Sequence, residues 1–269
     1  MKLTSVNRRS FRRPPIAGLM ESAVDTQLAV QHPLTGSFLA GRIRSELDVE
    51  DLDLLEAMAG ESAALSDRDV LTRRGEVLHS ASLLREGLMF RTIQRNGRRF
   101  IVGLCVPGDF VDLHGFALRR LDHNIVAVGK VDLVRFDHAR IKAVFDERPS
   151  LARAMWFASL LDAAVHRRWI QMFEQHDAPR RIAHIYCELH TRLGFTGRAE
   201  EGVVRAPFTQ FDLADMCGVS AVHANRAVAK LREIELAEIR RGTLYATDWE
   251  GLKRYAGFDP QYLFGASPP

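Results

Sequence analysis

The sequence predicts an α+β protein in three parts: an N-terminal β-roll (a double-stranded β-helix, or jelly roll), a long helix, and a C-terminal winged helix-turn-helix. Three observations predict it. Short β-prone runs punctuated by turn residues fill residues 69–136, with Asn96-Gly97 between two apolar runs as a strong hairpin signal. Apolar residues then recur at three-and-four spacing through residues 149–176. Finally, residues 209–231, TQFDLADMCGVSAVHANRAVAKL, read as two short helices broken at Gly218.

Composition sets the class. A chain of 269 residues, 46% hydrophobic and 26% charged, can bury two cores and has the balance of a soluble globular protein. A net charge of +3 permits nucleic-acid binding without demanding it, so position must carry that argument. Cys105, Cys187 and Cys217 are odd in number and far apart, which fits the reducing cytoplasm rather than a disulfide framework. No apolar run approaches the roughly 18 residues of a membrane span. No Ser/His/Asp or paired-carboxylate arrangement stands out, and His114 lacks the His-x-His pair of a rolled-strand metal enzyme, so the chain does not read as an enzyme.

In order along the chain, Asn7-Arg8-Arg9-Ser10-Phe11-Arg12-Arg13 imitates a twin-arginine export signal, but Pro14, Pro15, Glu21 and Asp25 interrupt the apolar segment such a signal needs. Residues 1–37 therefore read as a disordered basic tail. Residues 38–148 form the roll domain. Leu47, Leu52, Leu54, Leu55 and Met58 suggest one or two short helices at its start, and strands follow at 70–71, 76–78, 88–93, 99–104, 125–128 and 131–136. Asp137 is placed to cap a short helix.

Residues 149–176 are the dimerisation helix. Its row of Leu151, Met155, Ala158, Val165, Trp169 and Met172 is expected to meet a second subunit, while Phe157, Leu160, Leu161 and Phe173 make its remaining arc apolar as well. Residues 177–269 are the head: a helix at 179–193, a short strand at 203–208, the two helices of the opening motif, a hairpin with Arg240, Arg241 and Gly242 at its tip, and a closing helix at 249–255. His184, Cys187 and His190 share part of one helix face, but ordinary packing explains them without a metal.

Thr209 caps the first helix of the motif, with Asp212 reaching back as in a capping box, and Ser220 caps the second. Ala224, Ala227, Val228 and Leu231 follow the i, i+3, i+4, i+7 template, so Val222, Arg226, Ala229 and Glu233 fall on the opposite side. A helix-turn-helix docks such a face into the DNA major groove. Arg226 is the candidate for bidentate readout of guanine and Val222 for a thymine methyl; Asn225, on the flank, reaches either an adenine edge or a backbone oxygen. Thr209, Gln210, Ser220 and His223 at helix starts, with Arg240 and Arg241 on the wing, are candidate phosphate contacts.

Several motifs occur together and in order: Arg74-Gly75-Glu76, Pro107-Gly108-Asp109-Phe110, Thr209-Gln210-x-Asp212-Leu213-Ala214, Gly218-Val219-Ser220, and His223-x-Asn225-Arg226. From about Ser45 to Leu263 the chain resembles the Crp/Fnr superfamily of bacterial transcription regulators. The resemblance implies a cytoplasmic homodimer that binds near-palindromic double-stranded operators and works with RNA polymerase. It also implies a pocket at Asp109, His123 and Asn124, where members that bind cyclic AMP carry a Gly-Glu and an Arg-Ser pair. Neutral histidine and amide supply no fork for a cyclic phosphate, so cyclic AMP is not expected, and an unidentified effector, or none, takes its place. The roll looks shortened between Leu78 and Leu83. The N-terminus has no cysteine for an iron-sulfur cluster, and nothing points to haem. Ala221 and Val222 stand where cyclic AMP-responsive relatives place an arginine and a glutamate, so the operator is expected to differ from theirs. The competing reading is a signalling or scaffold protein that acts through protein contacts without binding DNA.

Overall fold

The computed structural model describes residues 31–265; most of the predicted basic tail, including its arginine pairs, lies outside them. The tail boundary at 37 runs too far. His32 and Thr35 are buried, and Glu56 accepts hydrogen bonds from the backbone N–H groups of Leu34 and Thr35 at 2.9 Å. Residues 33–42 are turns, followed by a 3-10 turn at Ile43–Glu46 and helix α1 (Val49–Met58), which Asp48 caps.

The roll is one five-stranded antiparallel sheet of β1 (Ser62–Leu65), β2 (Val70–Thr72), β3 (Ser80–Arg95), β4 (Arg98–Cys105) and β5 (Asn124–Asp137), in the order β1-β5-β3-β4 with β2 also on β5. Two segments differ from the sequence reading. Residues 125–128 and 131–136 form one strand through Gly129, and the apparently shortened stretch after Leu78 is the first half of β3, paired register for register with β5. Bulges between Leu84, Glu86 and Leu88 let these long strands bend without breaking. Gly87 sits at one of them with φ +85°, where a Cβ would lie 2.2 Å from the Lys130 carbonyl oxygen. The run at 76–78 makes only a bridge, Val77 to Arg120. The Asn96-Gly97 turn is as predicted, both residues having positive φ.

A short helix α2 (Gly115–Leu118) precedes β5, and Asp137 caps α3 (His138–Glu147) by accepting from the Ala139 N–H. Pro149 opens α4 (Pro149–Gln175), where its missing N–H costs nothing and its fixed φ suits the first turn. The head follows: α5 (Ala178–Phe195), β6 (Val203–Val204), α6 (Gln210–Cys217), α7 (Ala221–Glu233), β7 (Ala237–Arg240), β8 (Thr243–Ala246), α8 (Trp249–Ala256) and a 3-10 turn at Pro260–Leu263.

The roll and the head share a core. Leu88, Phe90, Ile101 and Leu104 of the roll cluster with Tyr186 of α5 and with Phe208, Leu213 and Met216 of the head. Phe90 stacks on Phe208 with ring centroids 5.5 Å apart, a contact worth about 0.5–1.5 kcal/mol beyond its buried area. The head is thus packed onto the sheet rather than tethered by α4 alone.

Candidate nucleic-acid interface

The reading head follows from local rules. Thr209 Oγ1 accepts from the Asp212 N–H at 3.1 Å while Asp212 Oδ2 accepts from the Thr209 N–H at 2.8 Å, completing the capping box. Gly218 ends α6 in the left-handed region, φ +66°, where a glycine carries no Cβ penalty. Ser220 then caps α7 by accepting from the His223 N–H at 3.3 Å. Ala224, Ala227 and Leu231 are buried against the head, and Val228 is half-buried.

The opposite face is open. Val222 is 63% exposed, and Arg226 is exposed with no carboxylate partner among the described residues. Asn225 is exposed too, and its side-chain amide donates to Gln210 Oε1 at 3.0 Å, which joins the recognition helix to the start of α6. Thr209, Gln210, Ser220 and His223 are all exposed beside it. The hydroxyls of Thr209 and Ser220 are already engaged in capping, so these positions have less to offer a phosphate than the sequence alone suggested.

The wing is the β7–β8 hairpin, with β6 on its other edge. Arg241 and Gly242 form its tip with φ of +50° and +81°. Only glycine fits at 242, since a Cβ would lie 2.2 Å from the Ala206 carbonyl oxygen, and the buried Tyr186 hydroxyl donates to the Gly242 carbonyl at 2.7 Å. Arg240 pairs with Glu238 at 2.7 Å, whereas Arg241 is exposed and lacks an acidic partner among the described residues.

Known proteins carry the same arrangement. A family model for the Crp-like helix-turn-helix domain matches residues 180–255. The nitrogen fixation regulation protein FixK of Bradyrhizobium diazoefficiens is 24% identical over 205 residues, 76% of this chain and 85% of that one. Among solved structures, FixK2 from Bradyrhizobium japonicum shares the fold with a TM-score of 0.66 at 16% identity, covering 73% of this chain and 96% of that one. A CRP-family transcriptional regulator from Thermus thermophilus gives a TM-score of 0.60 at 15% identity, over 73% and 97%.

Residues 180–255 are thus a Crp-like helix-turn-helix domain, and the chain as a whole resembles Crp/Fnr regulators.

The predicted effector trio does not converge. Asp109 accepts from the Val106 N–H and pairs with Arg192 of α5 at 2.5 Å, tying the Pro-Gly-Asp-Phe loop to the head. His123 is buried with its Nδ1 2.7 Å from Asp122, and burial lowers its basicity, while Asn124 accepts from the Arg74 N–H at 2.8 Å. Of the three, only Asp109 lines the cavity between the roll, α4 and α5. That cavity measures about 50 Å³ and is crossed by an ion pair of Arg91 with Asp162. Burial holds the His114 imidazole beside it down to about 4, hence neutral. That volume is small beside the roughly 300–1,000 Å³ of pockets that hold drug-sized ligands.

The dimer stripe needs correcting. Leu151 and Met155 are fully buried against the roll, and Val165, Trp169 and Met172 in the core shared with the head. Ala158 is only half-buried. These residues face their own chain because the sheet and α5 cover that side first. Trp156, Leu160 and Ile170, at 61%, 51% and 69% exposure, lie instead on the open side. With Ala163, Arg167 and Glu174 they repeat at 4-3-4-3-4 spacing, a heptad row legible in the sequence but masked there by the equally apolar inner face.

Sequence reasoning also missed Arg68 and Arg99. Arg68, in the turn after β1, and Arg99, at the start of β4, both bind the fully buried Asp212 of α6, and Arg99 reaches Asp215 as well, at 2.7 Å. No local signal links positions 113 and 144 residues apart. His184, Cys187 and His190 lead to separate contacts: His184 lies 3.3 Å from the Tyr262 hydroxyl, Cys187 is fully buried, and His190 packs on Trp249. All three cysteines are buried, and burial pushes each thiol up to about 12, so none is poised to react.

Proposed function

We propose that this regulator works in the cytoplasm as a homodimer on near-palindromic DNA, each α7 entering the major groove with Arg226 reading guanine and Val222 meeting a thymine methyl. The observation that carries this reading is the unpaired, exposed guanidinium of Arg226 on a recognition helix whose other face is fully packed. Gln210, the α7 N-terminus and Arg241 flank it with phosphate donors. The heptad row of Trp156, Leu160, Ala163 and Ile170 pairs with itself across a two-fold axis, spacing the two heads by about 34 Å, one DNA turn. No described helix is long and apolar enough to cross a membrane.

RNA polymerase is the partner through which DNA occupancy changes transcription. The tethered Asp109 and the narrow Arg91–Asp162 cavity support DNA binding that does not depend on cyclic AMP. Titration of a labelled fragment from upstream of its own coding sequence tests the proposal. Sequence-selective binding that weakens steeply with salt and is unchanged by cyclic AMP is expected; equal binding to scrambled duplex overturns it in favour of a protein-contact role.

A further inference from the structure

The roll carries arginines that neither the reading head nor the sheet uses. At the tip of the β3–β4 hairpin, Arg95 and Arg98 face each other directly across the ladder. Both are exposed, and neither meets a carboxylate among the described residues. Like charges opposed in this way destabilise a hairpin, so the pair asks for an external anion. Arg98 is held over the Phe100 ring at 5.5 Å, and Arg95 shares a surface groove with the exposed Arg74. Asp122, the acid in that groove, already faces His123 at 2.7 Å.

The position of the hairpin selects the anion. Arg99, the residue after Arg98, grips α6 through Asp212 and Asp215, both at 2.7 Å. The same helix begins at Gln210, which is bonded to Asn225 of the recognition helix at 3.0 Å. The hairpin is therefore fixed to the first helix of the helix-turn-helix. Its tip, Gln94-Arg95-Asn96-Gly97-Arg98, is exposed throughout and has no apolar side chain from which to build the centre of a protein interface. Guanidinium forks on a polar tip suit phosphodiester oxygens.

We propose that the β3–β4 hairpin of the roll is a second DNA-binding surface, on which Arg74, Arg95 and Arg98 take backbone phosphates flanking the sequence read by α7. The inference rests on the DNA-binding reading of the head. Such contacts add affinity and register but no base discrimination.

The test uses the full chain and an operator selected from random duplexes, prepared in two lengths: one ending at the outer edges of the half-sites, one extended by about 10 base pairs on each side. The wild type is expected to bind the longer duplex about tenfold more tightly at low salt, with a steeper salt slope. Arg95→Gln/Arg98→Gln is expected to bind the short duplex like the wild type and to lose the advantage of the long one, its salt slope falling by about 0.9 for each phosphate contact removed. A wild type indifferent to length, a variant that keeps the advantage, or a variant equally weakened on both lengths each overturns the proposal. If the wild type selects no sequence and binds no duplex above scrambled controls, the head's own reading fails as well, a result separate from indifference to length.

Discussion

The guanidinium of Arg68 grips both carboxylate oxygens of Asp212, Nη1 to Oδ1 at 2.9 Å and Nη2 to Oδ2 at 2.6 Å, across the boundary between roll and head. Asp212 thereby does two jobs: it closes the capping box of α6 and anchors that helix to the sheet. Arg68 itself has φ +70°, a conformation that a residue with a Cβ adopts at some cost.

The double variant Arg68→Ala/Arg99→Ala leaves a buried carboxylate without its cations. A loss of roughly 3 kcal/mol is expected in urea unfolding, since breaking a buried pair costs more than the pair contributes. Burial opposes the charge of Asp212, but hydrogen bonds from Arg68 and Thr209 outweigh it and hold the carboxyl below the usual range. A depressed folded pKa means that this stabilisation is present above the unfolded value of about 3.9 and is lost as pH falls through the folded one. Wild type is expected to show that acid loss and Asp212→Asn to lack it.

Arg226→Ala is expected to cost about 1–3 kcal/mol of discrimination between an operator and its variant at the guanine it contacts, with the unfolding midpoint unchanged. Fluorescence anisotropy on matched and mismatched duplexes checks both. Equal loss on every sequence assigns Arg226 to a phosphate instead.

The two faces of α4 give opposite outcomes. Leu160→Glu is expected to shift the sedimentation profile from dimer towards monomer, because it places a charge in an apolar seam, while leaving the monomer folded. Leu151→Ala is expected to leave association unchanged and to destabilise the chain by about 2–5 kcal/mol, since Leu151 is fully buried in its own core.

Asp112 supplies a second pH signature. Burial raises its carboxyl to about 7, against hydrogen bonds from the Ser82 N–H and hydroxyl. With the folded value above the unfolded value of about 3.9, its contribution is full in acid, declines as pH rises between the two, and is gone above about 7. The difference in thermal midpoint between wild type and Asp112→Asn, followed from pH 4 to 8, is expected to move in favour of the variant as pH rises. A constant difference overturns the assignment.

Much of the head was legible because its determinants are local. Thr209 with Asp212, Gly218, and Ser220 lie within one or two turns of the groups they satisfy, and the outward set of Val222 and Arg226 follows from helical periodicity alone. The roll was legible as strands and turns but not as a register. Gly129 read as the end of a strand, yet it sits inside β5, because a bulge keeps the ladder intact where local propensity says turn.

What the sequence determined by itself is the order of elements, their caps, the Asn96-Gly97 hairpin and the reading face of α7. Tertiary structure decided which arc of α4 is spent on its own core, that Asp109, His123 and Asn124 pair elsewhere instead of converging, and that Arg68 and Arg99 clasp Asp212. The physical reason is range. Caps and turns are satisfied within a few residues, where spacing is visible, whereas choosing between two apolar faces, or among many arginines for one buried carboxylate, depends on which surfaces the folded chain brings together first.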